Sequence, residues 1–325
     1  IFKYKLLGGF SFMNDSQIND ALFRHAFITA MIIGTLCRFF VLRVEDKQYP
    51  SRPQDYIEQI IIAALAASLG AVALPALIDK EFSALTFLAV GIQQFQGLSQ
   101  QEKITLENID SDEIVSKGEG YINEIATTYE VRSYISLFSA LLSSIVYIYI
   151  ARKFDADILI CIISASIAGI IVGLFFRRVL RRPSINDVAE IYMAKISFEE
   201  QLLKVNDITM TNIGLKDTRK KYLEQGMAIE IVPKSMTDFG IINDIDQQRA
   251  IMHNIYIHLG FAKDVDEKDL LPIARTNLDK KSVVIIMIPL IKDEVTFMQV
   301  AGSTPVLDTS KGKQSAYKKK PLYLT

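Results

Sequence analysis

The sequence predicts an α-helical multi-pass membrane domain of about five transmembrane helices, followed by a small cytoplasmic α/β domain. Three observations predict it. Residues 158–176 carry no charge and are followed by Arg177, Arg178, Arg181 and Arg182. That is a helix long enough to span a hydrocarbon core of ~30 Å, closed by basic residues of the kind retained on the cytoplasmic side. Before that stretch the chain holds further apolar runs. After it, acidic and basic residues balance, and strand-like segments alternate with helix-like ones as in a soluble domain.

The 325 residues leave room for two domains, half the chain is hydrophobic, and the mean hydropathy of +0.23 is high for a soluble protein. A formal net charge of −1 gives no bulk attraction to nucleic acid. Cys37 and Cys161 both fall in apolar runs and are expected to be buried free thiols. Residues 1–25 are an N-terminal extension. Its apolar patch at 6–12 is too short and too poorly flanked for a signal peptide, and Met13 is the expected start.

The membrane domain covers residues 26–182. The first span, 26–44, carries Arg38 and Arg43 toward its end, where long basic side chains are expected to snorkel to a cytoplasmic interface. A stiff linker with Pro50 and Pro53 leads to the second span, 57–78. There Ala63, Ala67 and Ala71 recur at four-residue spacing, a pattern that lets helix backbones approach closely in lipid. The third span, 82–95, is short and ends in Gln93 and Gln94. The fourth, 134–151, carries serines at 136, 139, 143 and 144 and is followed by Arg152 and Lys153. The fifth is 158–176, where Ala165, Gly169 and Gly173 form a second small-residue row, a face for helix packing or for a homo-oligomer. With the arginines after span five inside, the C-terminal domain is cytoplasmic, and the external Arg152 and Lys153 run against the positive-inside trend.

Residues 97–132 are too long and too acidic for a turn. From Glu119 the pattern is helical, with Tyr121, Ile122, Ile125 and Tyr129 on one stripe. A cytoplasmic helical hairpin is expected, its stripe packing on the C-terminal domain, on the membrane surface or on a partner. In the α/β domain, 183–310, strands are expected over 202–213, 227–232 and 282–290, and helices over 216–225, 244–259 and 292–300. His253 and His258 stand five apart and do not share a helix face, so no metal site is assigned to them. Asp264, Asp266, Glu267 and Asp269 lack the glycine and closing glutamate of a calcium loop. No phosphate-binding loop or nucleophile elbow is present, so no catalytic residue and no cofactor is assigned. The basic tail, 311–325, is a disordered end or a contact for anionic lipid.

The segment Gly120-Tyr-Ile-Asn-Glu-Ile-Ala126 followed by Tyr129-Glu-Val-Arg-Ser-Tyr134 resembles the signature of the YIEGIA family of endospore-forming bacteria. Lys47 to Pro50, Leu69 to Ala73 with Pro75, Gln93 to Phe95, Gln248 to Ile251 with His253, and Leu259-Gly260 extend the resemblance over 26–307. Asn123 and Glu124 depart from it, standing where the name motif has Glu and Gly. The resemblance implies a multi-pass membrane protein of the cell membrane that works with a small capping subunit; it carries no catalytic residues. The leading expectation is a non-enzymatic membrane scaffold of a sporulation-associated complex, in which Tyr121, Ile122, Ile125 and Tyr129 bind the partner. The alternatives are a channel or transport subunit, and a membrane-bound hydrolase assembled from dispersed residues such as Asp155, Asp157 or Asp238.

Overall fold

The computed structural model describes residues 15–45, 53–78, 82–179, 182–261 and 271–313. Met13, most of the first linker, Arg181, the Asp264 to Asp269 run and the tail beyond 313 lie outside the described residues. The chain divides into two compact units. One is Ile1–Gln101 with Thr127–Arg181, and the other is Glu102–Ala126 with Arg182–Thr325.

The first unit is helical. It contains α1 (Asp15–Glu45), α2 (Pro53–Ile78), the greater part of α3 (Phe82–Ser111), most of α4 (Glu119–Phe154), and α5 (Ile158–Val179). Four of these helices are long and apolar enough to cross a membrane, judged by length and composition: Ala21–Arg38, Ile57–Ala76, Glu119–Phe154 and Ile158–Val179. The expected span at 82–95 is not among them. With no proline between residues 82 and 111 to stop it, the helix simply continues, and its apolar start gives way to Gln93, Gln94, Gln100, Gln101 and Glu102. The separate hairpin helices expected at 97–132 are likewise the ends of two long helices. α4 alone is 36 residues, about 54 Å at the α-helical rise.

Small residues line the closest helix contacts of this unit. Ala63, Ala67 and Ala71 of α2 are buried, and Ala67 and Ala71 meet Ala30 of α1 and Ala140 of α4. A Cβ added at Gly169 of α5 would lie 2.2 Å from Ser143 Oγ, and one at Gly173 3.0 Å from Cys37 Sγ. The backbones come close enough for side chains to bond across: Ser143 Oγ donates to Ala165 O at 3.0 Å, and Ser144 Oγ donates to Ala71 O at 3.1 Å. Cys37 and Cys161 are buried and free. The outward faces are large and apolar. Leu159, Ile163, Ile167, Ile171 and Phe175 of α5, Ile28, Ile32 and Leu36 of α1, and Ile61 and Leu65 of α2 are all exposed. Arg38 does not snorkel. It is 1% exposed, donating to Ser133 Oγ of α4 and to Gln59 Oε1 of α2, so its position joins three helices.

The second unit is built on two antiparallel sheets. The larger joins β1 (Ala189–Met193), β5 (Met227–Pro233), β6 (Ile273–Asn277) and β7 (Ser282–Met287) in the order β1-β5-β7-β6. The smaller joins β2 (Ile196–Glu199), β3 (Leu202–Val205) and β4 (Ile208–Asn212) in sequence order. Strand alternation sorts β7 between two cores. Val283, Ile285 and Met287 pack with Phe239 of α8 (Met236–Ile242), with Ile251, Ile255 and Leu259 of α9 (Ile245–Leu259), and with Phe297 of α10 (Glu294–Ser303). Val284, Ile286 and Ile288 pack with Leu203, Val205 and Met210 of the smaller sheet and with Tyr222 of α7 (Lys216–Gln225). Helices cover one face and a second sheet the other, which is why an antiparallel strand reads as an unbroken apolar run. The unit also holds the short α6 (Ile185–Val188) and α11 (Asp308–Lys313).

Candidate functional site

The feature that stands out chemically in the second unit is the seam where the connection between α3 and α4 lies on α9. The local sequence builds both sides. α9 starts at Asp244, whose carboxylate accepts the Asp246 N–H at 2.8 Å, and stops at Gly260, whose φ of +66° suits glycine alone. One face of the helix, Ile251, Ile255 and Leu259, packs on the sheet. Another face, Asp246, Arg249, Ala250 and His253, repeats at three- and four-residue spacing and meets the connection.

The connection is turned by Asp110. Its carboxylate accepts the Lys117 N–H at 2.5 Å and the Gly118 N–H at 3.4 Å, and the Lys117 ammonium lies 4.0 Å from both Asp110 and Glu113. Gly118 has a φ of +87°, which favours glycine, and a Cβ at Gly120 would stand 2.9 Å from Asp246 Oδ2 and 3.0 Å from Thr309 Oγ1, so a larger residue there would have to displace those side chains. Next along, Tyr121 is 2% exposed and packs on Ala250 and Leu307, with Ile125 beside it; Ile122 is equally buried. Tyr121 and Ile125 of the stripe therefore lie against residues of the C-terminal stretch, one of the three covers expected, and Tyr121 and Ile122, named as partner-binding, are buried. The Tyr129 side chain lies outside the described residues.

Polar groups lock the seam. Arg182 Nη1 lies 2.7 Å from Glu124 Oε1, and Glu124 Oε2 accepts the Asp308 N–H at 3.2 Å. Gln247 of α9 is fully buried, its Oε1 accepting from Leu307 N at 2.8 Å and Ser310 Oγ at 3.1 Å, its Nε2 donating to Pro305 O at 3.0 Å. His253 is 1% exposed, with Nδ1 2.6 Å from Val115 O. Burial holds its imidazole below the ordinary histidine value, with Lys117 pushing the same way and the Val115 bond, Glu113 and Asp110 opposing. Replacing Glu124 by alanine should lower the stability of this unit by about 2 kcal/mol, because one hydrogen bond is lost while Arg182, a quarter exposed, can still reach water. Chemical denaturation of the wild type and variant checks this, and an unchanged midpoint would refute it.

Carboxylates gather on the outer side of the connection, where Glu107, Asp110, Glu113 and Glu119 line a cleft of about 570 Å³. Other residues weighed in the sequence have structural positions. His258 Nδ1 meets Asn254 O at 2.8 Å, well away from the Val115 partner of His253. Asp157 accepts the Ile158 N–H at 2.9 Å as α5 begins, and Asp238 is bonded to the Ser235 hydroxyl at 2.6 Å as α8 begins. Among the described residues, no cluster of three His, Cys, Asp or Glu side chains is arranged to hold a metal ion. Sequence reasoning missed Gln247, which belongs to no recognisable pattern, and read Arg182 only as part of the basic run after span five, not as the partner of Glu124. The close approach at Gly120 and the departure at Glu124 were the only signals near them.

A helical unit with four helices long and apolar enough to cross a membrane, continuous in sequence with a sheet-bearing α/β unit, defines the class of protein. The YIEGIA protein family model matches residues 26–317, and this chain belongs to that family. It is similar to YphB of Bacillus subtilis (strain 168), a protein described as uncharacterized, at 31% identity over 283 residues, covering 87% of this chain and 92% of the relative. No solved structure matches.

Proposed function

We propose that this protein is a multi-pass scaffold of the cell membrane in an endospore-forming bacterium. Its α/β unit lies on the cytoplasmic side and holds a small capping subunit of a sporulation-associated complex. The observation that carries the membrane placement is the distribution of residue size in the helical unit. Ala, Gly, Ser and Cys make up much of its interior, beside a few large residues such as Ile135, Tyr147 and Ile148, while Ile, Leu and Phe dominate its exterior. In water that arrangement would expose the largest apolar groups; in lipid, where apolar burial between helices gives no advantage, close backbone packing is what holds helices together. Arg177 and Arg178 in the last turn of α5 support a cytoplasmic exit. The sporulation role is supported by membership of the family and by a relative from a spore-forming Bacillus.

In this reading the seam residues fix the shape of the α/β unit, and the partner is met by its exposed apolar corner, Leu290, Ile291 and Val295. A transport role is less well supported, because α2 and α4 approach too closely at Gly70 to leave space between them. Affinity purification of the detergent-solubilised protein from sporulating cells tests the scaffold. A small soluble protein should accompany it at near-equal stoichiometry, and should be lost in a Leu290→Ser, Ile291→Ser double variant that still folds. Purification alone or as a homo-oligomer would overturn the reading.

A further inference from the structure

We propose that His253 is a proton-operated latch, which ties the 110–118 connection to α9 while its ring is neutral and releases it when the ring takes a second proton. The tie has one defined chemistry. Val115 O can only accept, so Nδ1 carries the hydrogen and donates across 2.6 Å, which leaves Nε2 as the unprotonated nitrogen of a neutral ring. Among the described residues, no hydrogen-bonding group reaches Nε2, and the residue is 1% exposed. A second proton would therefore place both a charge and an unanswered N–H in a closed site.

The surrounding charges do not reverse this. From the connection, Asp110 and Glu113 favour a charged ring and Lys117 opposes it, but both carboxylates are shared with the Lys117 ammonium at 4.0 Å, and Asp110 also accepts two backbone N–H groups. From α9 itself, Arg249 reaches Gly118 and adds positive charge nearby, and Tyr256 presents its ring at 6.1 Å. Relief comes only by opening the seam. The bond that would open holds the turn just before α4, so release would expose the α9 face around Ala250 and loosen the first turns of that helix. This latch does not depend on the proposed scaffold role.

The sign follows from which form accepts the proton. Above the ordinary imidazole value, about 6.5, the ring is neutral whether docked or released, and docking is at full strength. As the pH falls below that value, the released form takes a proton that the docked form refuses. The docked-to-released ratio then drops about tenfold per pH unit until the lower, docked value is reached. Hydrogen exchange on the full-length protein in lipid nanodiscs, corrected for intrinsic rates, reads this directly. Opening of 110–118 should be constant from pH 8 to about 6.5 and rise about tenfold by pH 5.5, while the amides of β7 stay protected. His253→Gln keeps a donor for Val115 O but cannot titrate, so its opening should be independent of pH, whereas His258→Gln should respond like the wild type. Opening that does not change with pH in the wild type, or that changes equally in His253→Gln, would overturn the latch. If His253→Gln fails to fold, ¹⁵N shifts of the wild-type ring decide: titration of Nε2 at the ordinary value refutes the proposal, and resistance to protonation below it supports it.

Discussion

Replacing Gly70 by alanine, the smallest change available, is expected to unfold much of the helical unit. A Cβ built there would lie 2.1 Å from Leu137 O and 2.9 Å from Leu137 C, both backbone atoms of α4 that no rotamer change can move. The two helices would have to part by roughly 1 Å, which breaks the Ser144 Oγ to Ala71 O bond and opens the contact of Ala67 and Ala71 with Ala140. Alanine is the better helix former by about 1 kcal/mol. Overpacking against a rigid backbone costs about 3 kcal/mol, and the lost hydrogen bond about 1 more, so the loss wins. Gly97 of α3, whose added Cβ would meet nothing within 4 Å, is the control: there alanine should be neutral or slightly stabilising. The thermal midpoint in detergent and the monodisperse fraction on gel filtration measure both. A Gly70→Ala protein as stable as the wild type would mean that α2 and α4 do not pack in this way.

The same comparison shows what a sequence can disclose. Small-residue rows at Ala63, Ala67, Ala71, Gly169 and Gly173 are visible because close packing demands small side chains at helical spacing, and all five are buried between helices. α7, α9 and β7 are visible because each has sharp punctuation: Gly226 and Gly260 close the helices, and six consecutive apolar or small residues fill the strand. β1, β2 and β6 escape notice because they are short and half-exposed, so tertiary pairing rather than local preference makes them strands. α8 carries a glycine in its middle, and α11 has no apolar period at all.

For the connection between α3 and α4 the sequence leaves three covers open. Periodicity reveals that Tyr121, Ile122 and Ile125 share a face, but it is silent on what covers that face. The answer lies more than a hundred residues away, in Ala250 and Leu307. The role of Arg38 was misjudged on the same ground. A charge near the end of an apolar run is ordinarily carried to the interface, and here Gln59 and Ser133 on neighbouring helices bond it inside.

Gln247 holds the other large effect. It sits on α9 with no exposed surface and makes three hydrogen bonds to the 305–310 stretch: to the Leu307 N–H, the Ser310 hydroxyl and the Pro305 carbonyl. Leucine at this position has nearly the same volume, so no cavity opens, and what is lost is polar. Two buried partners, the Leu307 N–H and the Ser310 hydroxyl, and the half-buried Pro305 carbonyl are left without an answer, at about 1–3 kcal/mol each before relaxation, of which a total near 4 kcal/mol should remain. The sum falls on the weakest part of the unit, because α11 has six residues and little apolar surface of its own. Gln247→Leu should therefore free α11 and uncover Tyr121, which packs on Leu307, while the two sheets stay folded. Hydrogen exchange would show faster exchange over 305–313 and 119–125 with β5 and β7 unchanged. Gln247→Glu separates the two halves of the network: the acceptor for Leu307 N and Ser310 Oγ survives, the donor to Pro305 O does not, and a buried charge is added. Its exchange should quicken more at acidic-neutral than at strongly acidic pH, where the carboxyl is protonated and can donate again. Equal protection of 305–313 in Gln247→Leu and in the wild type would show that packing of Leu307 alone, not this side chain, closes the seam.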